Sequence, residues 1–259
     1  MPERITSAQN PRIKSILELQ TKSRERKLRG LFVIEGRREI ERAVASGFKV
    51  RELYYCGDIC TPGDFGCPMF ELGTAVYQRI AYREGTEGMV AVMEARQTSL
   101  PELHLRENPL LIVLESVEKP GNIGAVLRTA DAAGADAVLV CDPLTDIYNP
   151  NLIRSSLGAA FSVPMVCCTS EEAISWLKSE RIAILTAQLQ DSSLYYDTDM
   201  TGPVALVFGT EDKGLTDIWR KASDARIRIP MAGLMDSLNV SVSAAVLCFE
   251  AVRQRNESR

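Results

Sequence analysis

Three segments place glycine, amide, hydroxyl and charged side chains directly after apolar runs, and each could carry chemistry. The first is ESVEKPGNIGAVLRTADAAGA (115–135). Pro120-Gly121-Asn122 makes a tight turn there, and Gly124 and Ala125 are small enough for another chain or a ligand to approach the backbone. Arg128 follows four residues after Gly124, on the same helical face. A guanidinium there can hold a phosphate or a developing oxyanion; its bland alternative is a snorkelling surface arginine. The second segment, LVFGTEDKGL (206–215), ends a strand at Gly209 and sets Glu211 and Gly214 before a helix. It has no GxGxxG, and Lys213 is followed by Gly214 rather than Ser or Thr, so neither a dinucleotide fingerprint nor a Walker loop is present. An acidic residue in such a turn disfavours phosphate and suits a cationic or hydrogen-bond-donating ligand; a plain strand–turn–helix connection is the alternative. The third, IRIPMAGLMDSLNVSVSAA (227–245), has Pro230 and Gly233 in a loop before a long helix capped by Asp236 or Ser237. Ser237 and Asn239 put polar groups at that helix N-terminus, where free N–H groups favour anions or carboxylates.

The rest of the titratable inventory excludes other chemistries. His104 is the single histidine and lies between domains, which removes histidine triads and histidine metal sites. Cys56, Cys60 and Cys67 have a C-x3-C-x6-C spacing, poor for zinc and without a fourth ligand nearby, so no metal is expected. Tyr54, Tyr55, Tyr77 and Tyr82 could stack on bases, but half-buried strand positions fit them better. Seven cysteines, an odd number with Cys167 and Cys168 adjacent, do not read as a disulfide framework. No apolar run approaches the roughly 18 residues that span a bilayer, and the charged N-terminus has no signal-peptide core. A soluble protein of a reducing cytoplasm is expected. Net charge is only −4, yet the first 51 residues hold thirteen Lys and Arg against six Asp and Glu, +7, leaving −11 on the remainder. A basic arm on an acidic body attracts a polyanion, nucleic acid above all; the competing reading is a solvated helix face with ion pairs to Glu35, Glu39 and Glu41.

The elements that must position these residues fall into two blocks. Residues 11–30 read as an amphipathic helix, LFVIEG (31–36) as a strand, 37–46 as a helix, VRELYYC (50–56) as a strand, 57–68 as a Gly/Pro loop and 88–95 as a strand. This small α/β domain covers 1–96. Residues 97–109, polar and with two prolines, read as a linker. From 110 to 259, apolar strands (109–115, 137–141, 163–167, 181–187, 203–209, 225–230) alternate with helices (123–133, 150–160, 170–180, 214–222) and end in a helix over 237–255. Continuous apolar strands separated by helices predict a parallel sheet covered on both faces. In such sheets ligands bind beyond the carboxyl ends of the strands, where all three segments fall. The last helix carries two apolar stripes, so it is deeply packed or lies at a subunit interface.

Taken together and in this order, ESVEKPGNIGAVLRTA, FGTEDKGL and IPMAGLMDSLNVSVSAA resemble the three motifs of the SpoU/TrmH family of RNA ribose 2′-O-methyltransferases, within the SPOUT class. The resemblance covers nearly the whole chain, with SAQNPRIKSILELQ and FVIEG similar to the family's substrate-binding domain. One departure stands at Thr210, where the second motif usually has Asn. The resemblance implies a C-terminal parallel sheet closed by a deep trefoil knot, which periodicity could not reveal since true knots are nearly absent from folds. It implies a small N-terminal α/β domain resembling a ribosomal-protein fold, and homodimers formed through the C-terminal helix and first-motif region. It implies S-adenosylmethionine as methyl donor and a structured RNA, ribosomal first and transfer RNA second, as acceptor. Carried over by motif, Asn122 and Arg128, then Glu211, then Ser237 and Asn239 are the catalytic positions. Backbone near Leu206, Gly209, Ile229, Met231 and Leu238 would hold the donor.

The chemistry then expected is in-line attack by a ribose oxygen on an activated methyl. Arg128, always protonated, would stabilise alkoxide charge and hold a neighbouring phosphate rather than act as base. A noncatalytic RNA-binding or ribosome-assembly factor that kept the fold is the competing class; donor binding separates the two. A small-molecule α/β enzyme is a further alternative, but it would leave the basic arm idle.

Overall fold

Two sheets organise the chain. In the computed structural model, which describes residues 3–81, 87–210 and 212–257, residues up to Arg96 and the segment Asp146–Ser162 make one compact unit, and Gln97–Thr145 with the chain from Val163 onward make the other.

In the first unit the elements run β1 (Glu3–Ile5), α1 (Pro11–Thr21), α2 (Ser23–Arg29), β2 (Leu31–Glu35), α3 (Arg37–Ala45), β3 (Val50–Cys56), β4 (Met69–Leu72), α4 (Thr74–Ile80) and β5 (Met89–Glu94). The sheet order is β1-β4-β3-β5-β2, with β5 antiparallel to both neighbours. Asn10 caps α1 by accepting from Arg12 N at 2.9 Å, and Pro11 fits the first helical position. Ile13, Ile16 and Leu19 recur on one face and are buried, each stabilising by roughly 1.5–3 kcal/mol. The single helix expected over 11–30 is two, because Lys22 is extended (φ −113°) between them. The apolar stripe runs out there, leaving nothing to hold one continuous axis on the sheet. β1, β4 and α4 were not foreseen; β4 and α4 follow the Gly/Pro loop and are only four and seven residues long. Tyr54, Tyr55 and Tyr77 are core residues, whereas Tyr82 lies outside the described residues.

The remaining elements are β6 (Leu110–Glu115), α5 (Pro120–Ala133), β7 (Ala137–Cys141), α6 (Pro150–Ser156), α7 (Ala159–Ser162), β8 (Met165–Cys168), α8 (Ser170–Ser179), β9 (Ala183–Ala187), β10 (Ser193–Leu194), β11 (Val204–Phe208), α9 (Asp217–Ala222), β12 (Ala225–Arg228) and α10 (Val240–Glu257). The helix expected over 150–160 is broken into α6 and α7 by Leu157 (φ 51°) and Gly158 (φ 92°). Both pieces belong to the first unit, not to the block beginning at 110. Ile153 and Phe161 join Phe32, Ile34 and Ile40 in one core, and Phe32 stacks on Tyr148 at 4.2 Å. A buried pair, Arg26 Nε to Asp146 at 2.5 Å, ties the same excursion down.

The second unit is one parallel sheet in the order β10-β12-β9-β11-β6-β7-β8. Its central strands β6 and β11 are buried along their whole length, as strands covered on both faces must be. Residues 97–109, expected as a linker, are built into this unit: Leu100 is core, and Leu103 and Leu105 pack beside it. Asp136 holds their end, accepting from Arg106 Nε, Arg106 N and Leu110 N. No helix described is long and apolar enough to cross a membrane.

Candidate active site

Because every strand pair in the second unit is parallel, the loops after β6, β9, β11 and β12 leave one edge of the sheet together. This gathers the three segments, as the strand-end rule requires. β6 ends on Glu115, only 2% exposed, whose carboxylate accepts from Thr216 N at 2.9 Å and Thr216 Oγ1 at 2.5 Å. Ser116 then turns the chain in the left-handed region (φ 52°) toward α5.

After β11, residues 209–214 fold back on themselves. Thr210 N donates to Gly214 O at 3.3 Å, and Gly214 N to Thr210 O at 3.0 Å. A Cβ on Gly209 would stand 2.3 Å from Gly214 C and O, so no larger residue fits this turn. Thr210, at the position that departs from the family pattern, keeps a side-chain bond within the loop: its Oγ1 accepts from Lys213 N at 3.1 Å. Glu211 lies outside the described residues.

The third segment enters α10 through Asn239. Its Oδ1 accepts from Ser241 N at 2.9 Å and Ser241 Oγ at 2.7 Å, and its carbonyl from Val242 N and Ser243 N. Asn239, not Asp236 or Ser237, is therefore the helix cap. Helical hydrogen bonding begins at 239, and among the described residues Ser237 Oγ meets only Asp236 Oδ1, at 3.2 Å. Asn239 also reaches the first segment, its Nδ2 donating to Asn122 Oδ1 at 3.3 Å across 117 residues of sequence.

Two cavities flank the 209–214 loop. The first, about 350 Å³, is walled by the loops after β9, β11 and β12 and by the start of α10. Gly209, Ile229, Met231, Ser237 and Leu238 line it. Leu206 does not; it is sealed in the middle of β11. The second, about 330 Å³, holds Glu115–Lys119, Asn122 and Leu144 against the same loop. Arg128 lines neither. It is exposed on α5 and makes no hydrogen bond or ion pair with a described residue. The structure thus brings Asn122, Asn239, Ser237 and four of the five donor-site positions to one edge and leaves Arg128 outside the two cavities.

Sequence reasoning passed over Glu115 and Thr216, whose only signal is their place at a strand end and a helix start. It also passed over Gln188 and Arg220. Both line the first cavity, and Gln188 Oε1 and Arg220 Nε are buried without a hydrogen-bond partner. No local pattern marks either one.

A parallel sheet with a cleft at its carboxyl edge, walled by three such loops, defines the class of open α/β proteins that bind their ligands at the strand ends. Comparison with known proteins places the chain within that class. Residues 109–249 match the SpoU rRNA Methylase family and residues 10–91 the MRM3-like substrate binding domain; the chain belongs to the SpoU rRNA Methylase family. It is 34% identical to the 23S rRNA (uridine(2479)-2′-O)-methyltransferase of Streptomyces viridochromogenes, over 99% of this chain and 94% of that one. It is 30% identical to the 23S rRNA (guanosine(2553)-2′-O)-methyltransferase RlmP of Bacillus subtilis, over 95% and 98%. Among solved structures, the AdoMet-bound rRNA methyltransferase from Sinorhizobium meliloti superposes with a TM-score of 0.89 at 29% identity, covering 97% of each chain.

Proposed function

We propose that the protein transfers a methyl group from S-adenosylmethionine to a ribose 2′-hydroxyl of ribosomal RNA. Family membership carries the reaction, and the relatives named above act on 23S rRNA. The observation that carries the donor site is the first cavity. Its walls mix apolar side chains (Leu189, Phe208, Ile229, Met231) with polar and charged ones (Gln188, Lys213, Arg220, Ser237), and the Gly209 turn beside it leaves no space for a side chain. A donor with an adenine, a ribose and an amino-acid group fits that set. When bound, S-adenosylmethionine supplies a methyl activated by the positive charge on sulfur.

The chain's own residues must position the acceptor and manage its proton. The second cavity, on the opposite side of the 209–214 loop, is the approach for the target nucleotide, with Lys119 and Asn122 at its rim. The Asn122–Asn239 bond holds the two walls in register. Glu211, carried over by the second motif, serves the cationic end of the donor or the loop itself. Arg128 cannot accept a proton, so it stabilises charge growing on the ribose oxygen and holds an adjacent phosphate, with that phosphate or solvent taking the proton.

Arg128 lines neither cavity, so its guanidinium completes the site only when RNA and a second copy are in place. A homodimer through α10 and the first-motif region is supported by Val242 and Phe249, each 48% exposed on α10, with Leu144 exposed nearby in sequence to β7. A deep trefoil knot is supported by the order of the sheet. β11 inserts between β9 and β6, β12 then lies outside β9, and α10 returns to pack on α5. The first unit, matched by the substrate-binding domain, supplies RNA affinity. The seven cysteines form no disulfide, which suits a reducing cytoplasm.

Calorimetric titration tests the donor site. One S-adenosylmethionine per chain is expected, with binding lost in Gly209→Val; no heat from the wild-type chain would overturn the reading. Sedimentation at twice the 28.6 kDa chain mass is expected for the dimer, and a monomer at micromolar concentration would contradict it.

A further inference from the structure

Two thiols meet where β7 and β8 end. Cys141 closes β7, Cys168 closes β8, and the two are direct partners in the parallel register. Neighbouring strands lie about 4.8 Å apart, inside the roughly 4.4–6.8 Å Cα separation that a disulfide spans, and paired residues of parallel strands share a face of the sheet. Cys141 Sγ and Cys168 Sγ stand 3.9 Å apart, in the core that Ala173, Ile174 and Leu177 of α8 cover. Closing that gap to the roughly 2.05 Å of an S–S bond takes side-chain rotation, with the strands left in place. The pair is asymmetric. Cys141 is buried and Cys168 partly exposed. Their mutual contact pushes the Cys141 thiol up and lowers Cys168, outweighing the burial and the carboxylates of Glu172 and Asp142 that act the other way on Cys168. Thiolate character and solvent access thus fall on the same sulfur, the combination that makes a cysteine reactive. Cys167 is exposed, but strand alternation turns it to the opposite face of β8 from Cys168.

The backbone around the pair leads to the first-motif turn. Cys141 O accepts from Ser116 N at 2.9 Å, and Cys168 O accepts from Asp142 N at 3.0 Å. Asp142, in the left-handed region (φ 48°), accepts from Ser170 Oγ at 2.5 Å, and Ser170 Oγ accepts from Trp219 Nε1 at 2.8 Å. Ser116 lines the second cavity. We propose that Cys141 and Cys168 are a redox-active pair, closed to a disulfide by hydrogen peroxide and reopened by a dithiol, and that closure slows methyl transfer through the Ser116 turn. The Cys168 thiolate attacks one peroxide oxygen, the O–O bond breaks, and a sulfenic acid forms as hydroxide leaves. The Cys141 sulfur then attacks the Cys168 sulfur; the S–O bond breaks, and the departing hydroxide takes the Cys141 proton and leaves as water. With the proton that left Cys168, two thiols have given up two electrons and peroxide has become two waters. Reversible links of this kind are the ones a reducing compartment tolerates. The slowing rests on reading the second cavity as the approach for the target nucleotide; the link does not.

The test treats the full chain with hydrogen peroxide, blocks the remaining thiols and maps links by peptide mass spectrometry. The expected product has lost two hydrogens and joins the Cys141 and Cys168 peptides, with altered amide hydrogen exchange over 115–118. Turnover on ribosomal RNA falls by about fivefold or more, the lower end of couplings between distinct sites, and dithiothreitol restores it. The Kd for S-adenosylmethionine stays within twofold, because Ser116 does not line the first cavity. Cys168→Ser and Cys141→Ala each make turnover insensitive to peroxide, and either serves if the other fails to fold. Cys167→Ser still closes the link and still slows. A product that joins Cys167 instead, a sulfinic acid without a link, or a Cys141–Cys168 link that leaves turnover unchanged overturns the proposal. If the reduced protein transfers no methyl group, the functional reading fails by itself; the link together with exchange over 115–118 then decides, altered exchange supporting the switch and unaltered exchange overturning it.

Discussion

At the scale of single residues, the proposed mechanism divides the site into groups that hold the donor and groups that ready the acceptor. It puts Arg128 among the second kind. Replacing it with Ala is expected to lower kcat by about 10²–10³, the usual loss when a charge-stabilising donor is removed, while the Kd for S-adenosylmethionine stays within twofold. Arg128→Lys keeps the charge but not the fork and stays well below wild type in single-turnover assays; near-normal turnover would refute the bidentate role. Asn239 does two jobs, capping α10 and bonding Asn122. Asn239→Ala should cost about 0.5–2 kcal/mol of stability from the cap and should also lower kcat. Asn239→Asp keeps the cap acceptor but cannot donate to Asn122, so it separates the two in paired melting and activity measurements.

At the scale of elements, the second unit is pinned where β6 begins. Asp136 lies nearly buried, and burial alone would raise its carboxyl. The Arg106 guanidinium and the amides of Leu110 and Arg106 outweigh that and hold it below the usual carboxylate range. A lowered value in the folded state means that the contribution is present above the unfolded carboxylate pKa of about 3.9 and is lost as pH falls through the folded value. Asp136→Ala should cost about 1.5–3 kcal/mol at pH 7 in urea denaturation, and the gap from wild type should shrink below about pH 4. An unchanged gap at pH 3 would count against the carboxylate as its source. The strands of this unit were readable from sequence because a sheet buried on both faces needs continuous apolar runs, and AVLVC and VALVF are such runs. The three segments were readable as a site because strand ends in a parallel sheet converge. Other features depend on tertiary contact and leave no local mark. The break at Lys22, the burial of Leu100 and the packing of Ile153 and Phe161 with Phe32 are of this kind. Gln188 and Arg220 sit in unremarkable sequence and become conspicuous only when their partners are counted.

At the scale of the whole molecule, the proposed division of labour gives RNA affinity to the basic first unit and methyl transfer to the second. Part of the basic charge is structural: Arg12, Arg26 and Arg29 are paired with Glu52, Asp146 and Glu18. Lys14, Arg24 and Lys27 are exposed and free of ion pairs among the described residues, so they are the charges available to phosphate. Changing all three to Glu should weaken RNA binding and flatten the slope of log Kd against log salt by about 2–3, with donor affinity unchanged. An unaltered slope would move the RNA surface elsewhere. Truncation at Arg96 is a poorer test, since it strips the partners of Ile153 and Phe161. The central claim is that the cleft at the sheet edge moves methyl groups onto ribose. The most direct measurement incubates unmodified ribosomal RNA with the protein and isotopically labelled S-adenosylmethionine, then maps the label by mass spectrometry of nuclease digests. The account predicts label on the 2′-oxygen of one nucleotide, absent with Arg128→Ala; label on a base, or none from the wild-type protein, would contradict it.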